Sequence, residues 1–191
     1  EYFRWTNVPS PMTIYEGVQK LPPAHYLCVS DRAGVSDPKP YWSVLDVAGS
    51  ASSLPDGVDA VDHLETVLDD AVHSQMVSDV PLGAFLSGGV DSSSVVASMQ
   101  RRSSDPVRTF TIGFSEASYD ESGYAAEVAA ALGTDHTDLV VSPDDAMRVI
   151  PDLPRVFDEP FADSSQIPTY LVSQMAREHV TVALSGDGAD E

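Results

Sequence analysis

Apolar and polar positions divide the chain into two parts of different character. Over residues 1–47 the apolar positions form short alternating runs separated by turn residues, and six of the fourteen prolines fall between Pro9 and Pro40. Proline fixes φ and lacks a backbone donor, so no helical period can extend far in this part. The pattern predicts short strands and turns for residues 1–47, and a small, polar linker containing Pro and Gly for residues 48–57.

Beyond the linker, segments with a helical period alternate with short apolar runs. The helical spacing predicts helices over residues 58–77, 92–102, 118–134, 143–157 and 168–178. The apolar runs predict buried strands over residues 79–86, 107–114, 135–141 and 180–184. Because strands and helices alternate, we expect an α/β fold in which a parallel, twisted sheet carries helices on both faces.

Two of the predicted helices carry more detailed signals. One stripe on the helix at 58–77 is predicted to face the core, and it consists of Val61, Leu64, Leu68, Ala71, Val72 and Gln75. In the helix at 118–134, Asp120 is the predicted N-cap, and Gly133 is the residue that ends the helix.

Charge and composition narrow the classes of function. The chain has 191 residues and a net charge of −20, which disfavours a nucleic acid as a broad surface ligand but leaves room for a small anion in a pocket. No apolar run approaches the roughly 18 residues of a membrane span, and the first residues lack the layout of a signal peptide. The single cysteine, Cys28, fits a reducing cytoplasm, and its place in an alternating run predicts a small buried filler.

Three of the predicted strands end in small polar residues. Ligands of open parallel sheets bind beyond the carboxyl ends of the strands, so these ends are the first candidates for a site. The first strand is followed by SGGVDSS at residues 87–93, where two glycines and a helix start can direct several N–H groups at one point. Such a loop is a phosphate cradle, although Gly-Gly alone is equally typical of a tight turn. The spacings of the Walker A loop and of the Rossmann fingerprint are missing.

Asp91 lies inside this predicted anion site. A triphosphate is strongly anionic, and a helix end supplies only about half a positive charge. Asp91 would therefore repel the ligand unless a cation stood between them. We interpret Asp91 as a magnesium ligand, with Asp190 as the second carboxylate. The alternative role for Asp91 is that of a helix cap.

Longer stretches of the chain resemble one family. FLSGGVDSS, TFTIGF and DEPFADSSQIPTYLVSQMAREHVTVALSGDGADE resemble the synthetase domain of glutamine-dependent asparagine synthetases, which is similar to the PP-loop, or N-type, ATP pyrophosphatases. TIYEGVQKLPPAHYL and PYW resemble the end of that family's N-terminal glutaminase domain. The resemblance implies that residues 1–47 end a glutaminase-like domain and that residues 58–191 begin the synthetase domain. We therefore expect an interior fragment of a longer enzyme, which is inactive by itself.

The resemblance also implies a set of site residues. It implies that ATP and pyrophosphate are bound by Leu86, Ser87, Gly88, Gly89, Asp91, Ser92, Ser93, Ile112, Ser185 and Gly186. It implies that Asp91 and Asp190 hold Mg²⁺. Asp187 would be catalytic, assisting acyl-adenylate formation and receiving a proton from ammonia, although many asparagine-forming members carry glutamate there. The expected substrates are ATP, aspartate or a similar carboxylate, and ammonia from glutamine. A homodimer is retained as a candidate assembly.

Weaker candidates and other functions stay open. The five histidines show no paired spacing for zinc, and no GxSxG elbow is present. Residues 158–160, Asp-Glu-Pro, are either a loop near the substrate or a solvated acidic turn, and Ser164, Ser165 and Gln166 are candidate pocket residues. The chain could instead belong to an enzyme that adenylates another carboxylate, a β-lactam precursor or a tRNA base, or it could be a nucleotide-binding remnant without catalysis.

Overall fold

The computed structural model describes residues 1–50, 54, 57–116 and 120–188. The chain forms two compact units, of which the first comprises Glu1–Asp56 and Pro154–Asp163, and the second comprises Gly57–Leu153 and Ser164–Glu191. Among the described residues, no helix is both long enough and apolar enough to cross a membrane.

The first unit is built from short elements. In chain order they are α1 (Tyr2–Trp5), β1 (His25–Tyr26), β2 (Val29–Ser30), β3 (Gly34–Val35), β4 (Lys39–Pro40) and α2 (Val44–Ser50). β1 pairs with β4 and β2 pairs with β3, both antiparallel. None of the residues described in this unit is buried, so its described part has no core of its own.

The helix α2 was not predicted. The sequence suggested a linker from residue 48, yet α2 continues to Ser50, and residues 51–53, 55 and 56 of the predicted linker lie outside the described residues. Ser43 explains the start of the helix, because its carbonyl accepts from the N–H of Val47 at 3.1 Å and its hydroxyl accepts from the N–H of Asp46 at 3.4 Å. Serine at this position is a strong helix-start signal that the small residues after it obscured.

Cys28 is exposed, so the prediction of a buried filler was wrong. The residue lies between β1 and β2, and both of its backbone groups bond Ser36 at 2.9 Å: the N–H donates to the hydroxyl, and the carbonyl accepts from the N–H. Alternation of polar and apolar residues was a real signal of extended backbone. It predicts burial only where a second layer covers one face of the ladder, and the described part of this unit supplies none.

From residue 60 to residue 141 helices and strands alternate, and four helical segments then precede the last strand. The elements are α3 (Ala60–Gln75), β5 (Leu82–Phe85), α4 (Val90–Arg102), β6 (Arg108–Phe114), α5 (Ser122–Leu132), β7 (Asp135–Val141), α6 (Pro143–Val149), a 3-10 helix (Ile150–Asp152), α7 (Leu153–Val156), α8 (Gln166–Ala176) and β8 (Val182–Leu184). The four strands β5 to β8 form one parallel sheet in the order β7-β6-β5-β8. The predicted α/β class with a parallel sheet is confirmed.

Helices cover both faces of this sheet. Ala84 and Leu86 belong to a cluster with α3, α4 and α5, whose buried members include Val72, Val95, Val96, Met99, Ala125 and Ala129. Phe85 lies between them in sequence and packs instead in a cluster with Phe110 of β6 and with α8. Since successive strand residues point to opposite faces, the two clusters lie on the two sides of the sheet.

Two predicted helices differ from the observed ones. The segment predicted as one helix over 143–157 is divided into α6, the 3-10 helix and α7, because Pro151 and Pro154 cannot donate the backbone bonds of a continuous helix. In α3, Val72 is the one buried residue of the predicted stripe, Leu68 is half-buried, and Ala71 and Gln75 are exposed. Val72 is 6% exposed, whereas Val61 and Leu64 are 71% and 66% exposed. An open groove of about 590 Å³ is lined by residues of the first half of α3, of α4 and of α5.

Candidate functional site

A cleft of about 340 Å³ opens beyond the carboxyl ends of β5, β6 and β8. The register brings these ends to one edge of the sheet, because Phe85 lies opposite Phe110 and Ala84 lies opposite Leu184. Leu86 continues the ladder by donating its N–H to the carbonyl of Phe110 at 2.9 Å. The cleft therefore lies where parallel sheets bind their ligands.

The cleft brings most of the predicted site residues together. Those that line it are Leu86, Ser87, Gly89, Asp91, Ser92, Ile112, Ser185, Gly186 and Asp187. Gly88 and Ser93 do not line it, and Asp190 lies outside the described residues. The chemical roles of these residues stay predictions.

The loop between β5 and α4 is held by two serine hydroxyls. Ser87 Oγ and Ser92 Oγ lie 2.9 Å apart, and Ser92 Oγ also accepts from the N–H of Ser87 at 3.2 Å. Ser87 Oγ accepts in turn from the N–H of Gly89 at 3.3 Å. The two hydroxyls therefore join the strand end to the first turn of α4.

Gly88 and Ser93 support the loop from outside the cleft. Gly88 has φ +82°, and a Cβ at this position would lie 2.7 Å from Tyr124 Cβ and 2.8 Å from the backbone nitrogen of Ala125. Only glycine fits there, so the loop packs directly on the first turn of α5. Ser93 donates its N–H to the carbonyl of Gly89 at 3.1 Å, and its buried hydroxyl has no partner among the described residues.

A second glycine brings the loop after β8 against α4. A Cβ on Gly186 would lie 2.7 Å from the backbone nitrogen of Ser92 and 3.0 Å from the carbonyl carbon of Asp91. The next residue, Asp187, donates its N–H to Ser185 Oγ at 3.1 Å. This close contact of backbones places Asp91 and Asp187 in the same cleft.

The electrostatics of the cleft combine helix starts with carboxylates. The first turns of α4 and α8 and the N-cap residue of α5 contribute lining residues, and N–H groups at a helix start favour an anion. Asp91, Glu121 and Asp187 add negative charge, while no Lys, Arg or His is among the described residues that line the cleft. An anionic ligand here needs a cation beside it.

Magnesium fits this requirement. No group of three or more His, Cys, Asp or Glu among the described residues could hold a metal by itself. Mg²⁺ does not need such a group, since it commonly uses one or two carboxylates together with phosphate oxygens and water. Asp91 can supply one carboxylate beside the loop, and Asp190 was the second residue predicted for this role.

The start of α5 differs from the prediction and was partly missed. Glu121, not Asp120, occupies the N-cap position, and Glu121 also lines the cleft. Asp120 still bonds the helix start, since its Oδ1 accepts from the N–H of Ser122 at 3.1 Å and from that of Phe114 at 3.4 Å. The Ser122 side chain, the Ser122 N–H and the Phe114 N–H together lower the pKa of the Asp120 carboxyl. The α5 end, Gly133, was predicted correctly and has φ +72°.

The other wall of the cleft comes from α8, through Pro168, Thr169 and Val172. Of the earlier candidates, Ser165 is the N-cap of this helix, and neither it nor Ser164 or Gln166 lines the cleft. Nothing in the sequence indicated the α8 residues, since their approach depends on packing across the sheet. The positions at which the strands end were, by contrast, indicated by the glycines in the sequence.

The acidic segment at residues 158–160 belongs to the first unit and does not line the cleft. The carboxylate of Glu159 forms an ion pair with Lys20 and accepts from the N–H of Ile14 at 3.0 Å. The hydrogen bond from Lys20 is the main reason that the pKa of the Glu159 carboxyl is lowered. Glu159 therefore joins the two segments of the first unit. This structural role differs from both predictions for the segment, which were a loop near the substrate and a solvated acidic turn.

Comparison with known proteins identifies the relatives of the chain. The family model described as asparagine synthase matches residues 63–191. Over the whole chain, identity is 36% to glutamine-hydrolyzing asparagine synthetase 1 of Bacillus subtilis and 39% to a putative glutamine-hydrolyzing asparagine synthetase 2 of Methanocaldococcus jannaschii. The chain covers 29% and 36% of these two proteins, so it spans about a third of their length. A protein named amidase chyE of Penicillium rubens is 29% identical over 94% of the chain, which corresponds to 29% of its own length.

Proposed function

The chain belongs to the asparagine synthase family, and on this premise we propose that it forms part of an ATP-dependent ligase that converts a carboxylate into an amide. The protein first adenylates the carboxylate with release of pyrophosphate, and then amidates it with ammonia derived from glutamine. Aspartate is the first candidate acceptor. Residues 58–191 would begin the synthetase domain, and residues 1–47 would end a glutaminase-like domain.

One observation carries the proposal. The backbone of Gly186 lies against the first turn of α4, so Asp187, which follows β8, and Asp91, which lies in that turn, both line one cleft. A cleft that only bound a nucleotide would need helix N–H groups and an apolar wall. Binding of a nucleotide with magnesium would use Asp91, whereas Asp187 adds a carboxylate that binding does not need and that a reaction with proton transfer does.

The chemistry explains why both ends of the cleft are used. A carboxylate is a poor electrophile because its leaving group would be an oxide. Its oxygen therefore attacks the α-phosphorus of ATP, the bond between this phosphorus and the bridging oxygen breaks, and pyrophosphate leaves. Ammonia then attacks the acyl carbon, AMP leaves with the former carboxylate oxygen, and the proton lost by nitrogen passes to Asp187.

Each part of the cleft has one task in this scheme. Leu86 and Ile112 would cover the adenine and ribose with apolar surface. The loop of residues 87–89 and the start of α4 would bind the departing pyrophosphate through N–H groups. Asp91, with Asp190, would hold Mg²⁺. When bound, this ion supplies the positive charge that the lining residues lack.

A second acceptor is favoured by two observations. Asp187 is shorter than the glutamate found at this position in many asparagine-forming members, which leaves space for a different carboxylate. One relative is named an amidase rather than an asparagine synthetase. The runner-up proposal is therefore the same adenylation and amidation acting on another carboxylic acid.

The test uses the intact protein with ATP, Mg²⁺, ammonia and a panel of carboxylic acids that includes aspartate. We expect AMP and pyrophosphate in equal amounts, dependent on one acid. ADP and phosphate as products would reject the proposal, and a different active acid would select the runner-up.

A matched pair of variants tests the role of Asp91. Asp91→Ala should abolish pyrophosphate release and keep the fold. Asp144→Ala is the control, because Asp144 also occupies the second position of a helix, α6, but does not line the cleft. Normal turnover in Asp91→Ala, or equal losses in both variants, would remove the metal role from Asp91.

A further inference from the structure

We propose that Asp120 is a positioning residue for the nucleotide cleft. Its carboxylate sets the distance between the end of β6 and the start of α5, and α5 in turn sets the place of the SGG loop at residues 87–89. This inference rests on the proposed function, since it assigns Asp120 an effect on nucleotide binding although Asp120 itself does not line the cleft.

A single oxygen makes the connection. Asp120 Oδ1 accepts from the N–H of Phe114, the last residue of β6, and from the N–H of Ser122, the first residue of α5. Phe114 and Glu121, the neighbour of Ser122, both line the cleft. The carboxylate thus joins two segments of the cleft wall that are separated in the chain by the loop between β6 and α5.

The strand is shaped to receive this carboxylate. A Cβ on Gly113 would lie 2.8 Å from Asp120 Oδ1 and 2.9 Å from both Cβ and Oγ of Ser122. The space that any other residue would fill is therefore used by the carboxylate and by the start of α5. Gly113 pairs with Val140 of β7, so this strand end cannot move to make room without loss of the ladder.

The start of α5 passes its position on to the SGG loop. Gly88 packs on the first turn of α5, where an added Cβ would lie 2.8 Å from the backbone nitrogen of Ala125. The N–H of Ala125 donates to the carbonyl of Glu121 at 3.2 Å, which ties this contact to the residue after Asp120. Because Gly89 is the N-cap of α4, a shift of α5 displaces the N–H groups that face the anion.

Asparagine at this position separates geometry from charge. Its side-chain oxygen can accept the same two N–H bonds, whereas alanine accepts none. If Asp120 acts by position, Asp120→Asn retains nucleotide affinity and Asp120→Ala does not. If Asp120 acted only through its charge, both variants would change the nucleotide affinity to the same extent.

The control is Asp145, another carboxylate that stabilises a helix start. It accepts from the N–H of Ser142 at 2.9 Å and completes the capping box of α6, and it does not line the cleft. Asp145→Ala therefore reports the effect of losing a helix-start carboxylate elsewhere in the same unit.

The experiment measures the dissociation constant of Mg²⁺ with α,β-methylene-ATP, an analogue that cannot be cleaved between the α- and β-phosphorus, by calorimetry on the intact protein. The loss of one hydrogen bond from an N–H group to a charged phosphate corresponds to at least about tenfold in affinity. On that scale we expect Asp120→Ala to weaken binding at least about tenfold, with Asp120→Asn and Asp145→Ala within about threefold of wild type. Urea midpoints are measured alongside, and those of the two alanine variants should fall by similar amounts.

The outcomes separate the two proposals. A wild-type protein that does not bind the analogue overturns the proposed function, and this inference with it. A wild type that binds, together with an Asp120→Ala variant that binds equally well, overturns the positioning role alone. If circular dichroism shows that Asp120→Ala does not fold, Asp120→Glu decides. It keeps the acceptor but is one methylene too long for the space above Gly113, so unchanged affinity in this variant would also refute the role.

Discussion

Replacing Gly186 by alanine adds one methyl group where the loop after β8 meets α4. The new Cβ would lie 2.7 Å from the backbone nitrogen of Ser92, whereas ordinary contact begins at 3.4 Å, so the two segments must separate by about 0.7 Å. The contacted atoms belong to the backbone of the first helical turn. No flexible side chain can rotate away to relieve the contact.

This separation should cost both stability and affinity. Overpacking of a close contact typically costs about 1–3 kcal/mol. For a protein of this size, each kcal/mol lowers the melting temperature by about 2–4 °C, so we expect a decrease of about 2–12 °C. The Kd for nucleotide should rise at least about tenfold, because the start of α4 shifts by a large part of 1 Å and the loss of one N–H bond to a phosphate corresponds to at least that factor.

Urea unfolding, thermal unfolding and calorimetry with Mg²⁺ and α,β-methylene-ATP measure these effects. Gly123→Ala is the control, because nothing lies within 4 Å of its added Cβ and the residue is helical. That variant should be as stable as wild type or more stable by up to about 1 kcal/mol, since glycine weakens a helix. A Gly186→Ala protein with wild-type stability and wild-type affinity would show that the loop does not lie on α4.

Two further predictions concern groups outside the cleft. Glu159→Gln weakens the ion pair with Lys20, whereas Glu159→Ala also removes the acceptor for the N–H of Ile14. Amide exchange at Ile14 should therefore be fastest in the alanine variant. Equal exchange in wild type and both variants would contradict the contact. Burial lowers the pKa of His136, whose Nδ1 lies 2.9 Å from Thr109 Oγ1. Its contribution to stability is therefore complete above the unfolded pKa of about 6.5 and is lost as the pH falls below it. The free energy of unfolding should decrease between about pH 7 and pH 5.5, and a His136→Gln variant with the same slope would refute this assignment.

The order of the elements could be read from local patterns. The strand predicted at 135–141 has those bounds in the structure, and the strand predicted at 107–114 differs from Arg108–Phe114 by one residue. Such runs are recognisable because strands buried on both faces are apolar throughout, while helices repeat with a period near 3.6. The SGG loop was equally readable, because the serine before the glycine pair and the Asp-Ser-Ser after it distinguish this loop from an ordinary tight turn.

Local patterns failed where burial depends on what covers a face. Val61 and Leu64 continue the apolar stripe of α3, yet they are exposed, because α3 is in contact with the core only through its second half. Cys28 lies in a run of alternating polar and apolar residues and is exposed for the same reason. Periodicity describes one element, whereas burial requires a second element from elsewhere in the chain.

The sequence by itself therefore determined the α/β class, the order of the strands along the chain and the position of the glycine loop after β5. Tertiary structure alone decided that Gly186 rests on α4, that Asp120 joins β6 to α5, and that α8 closes the cleft. The physical reason is the distance along the chain over which each effect acts. Propensity and period act over neighbouring residues, while a site on a parallel sheet is assembled from strand ends that lie far apart in the chain and meet only when the sheet forms.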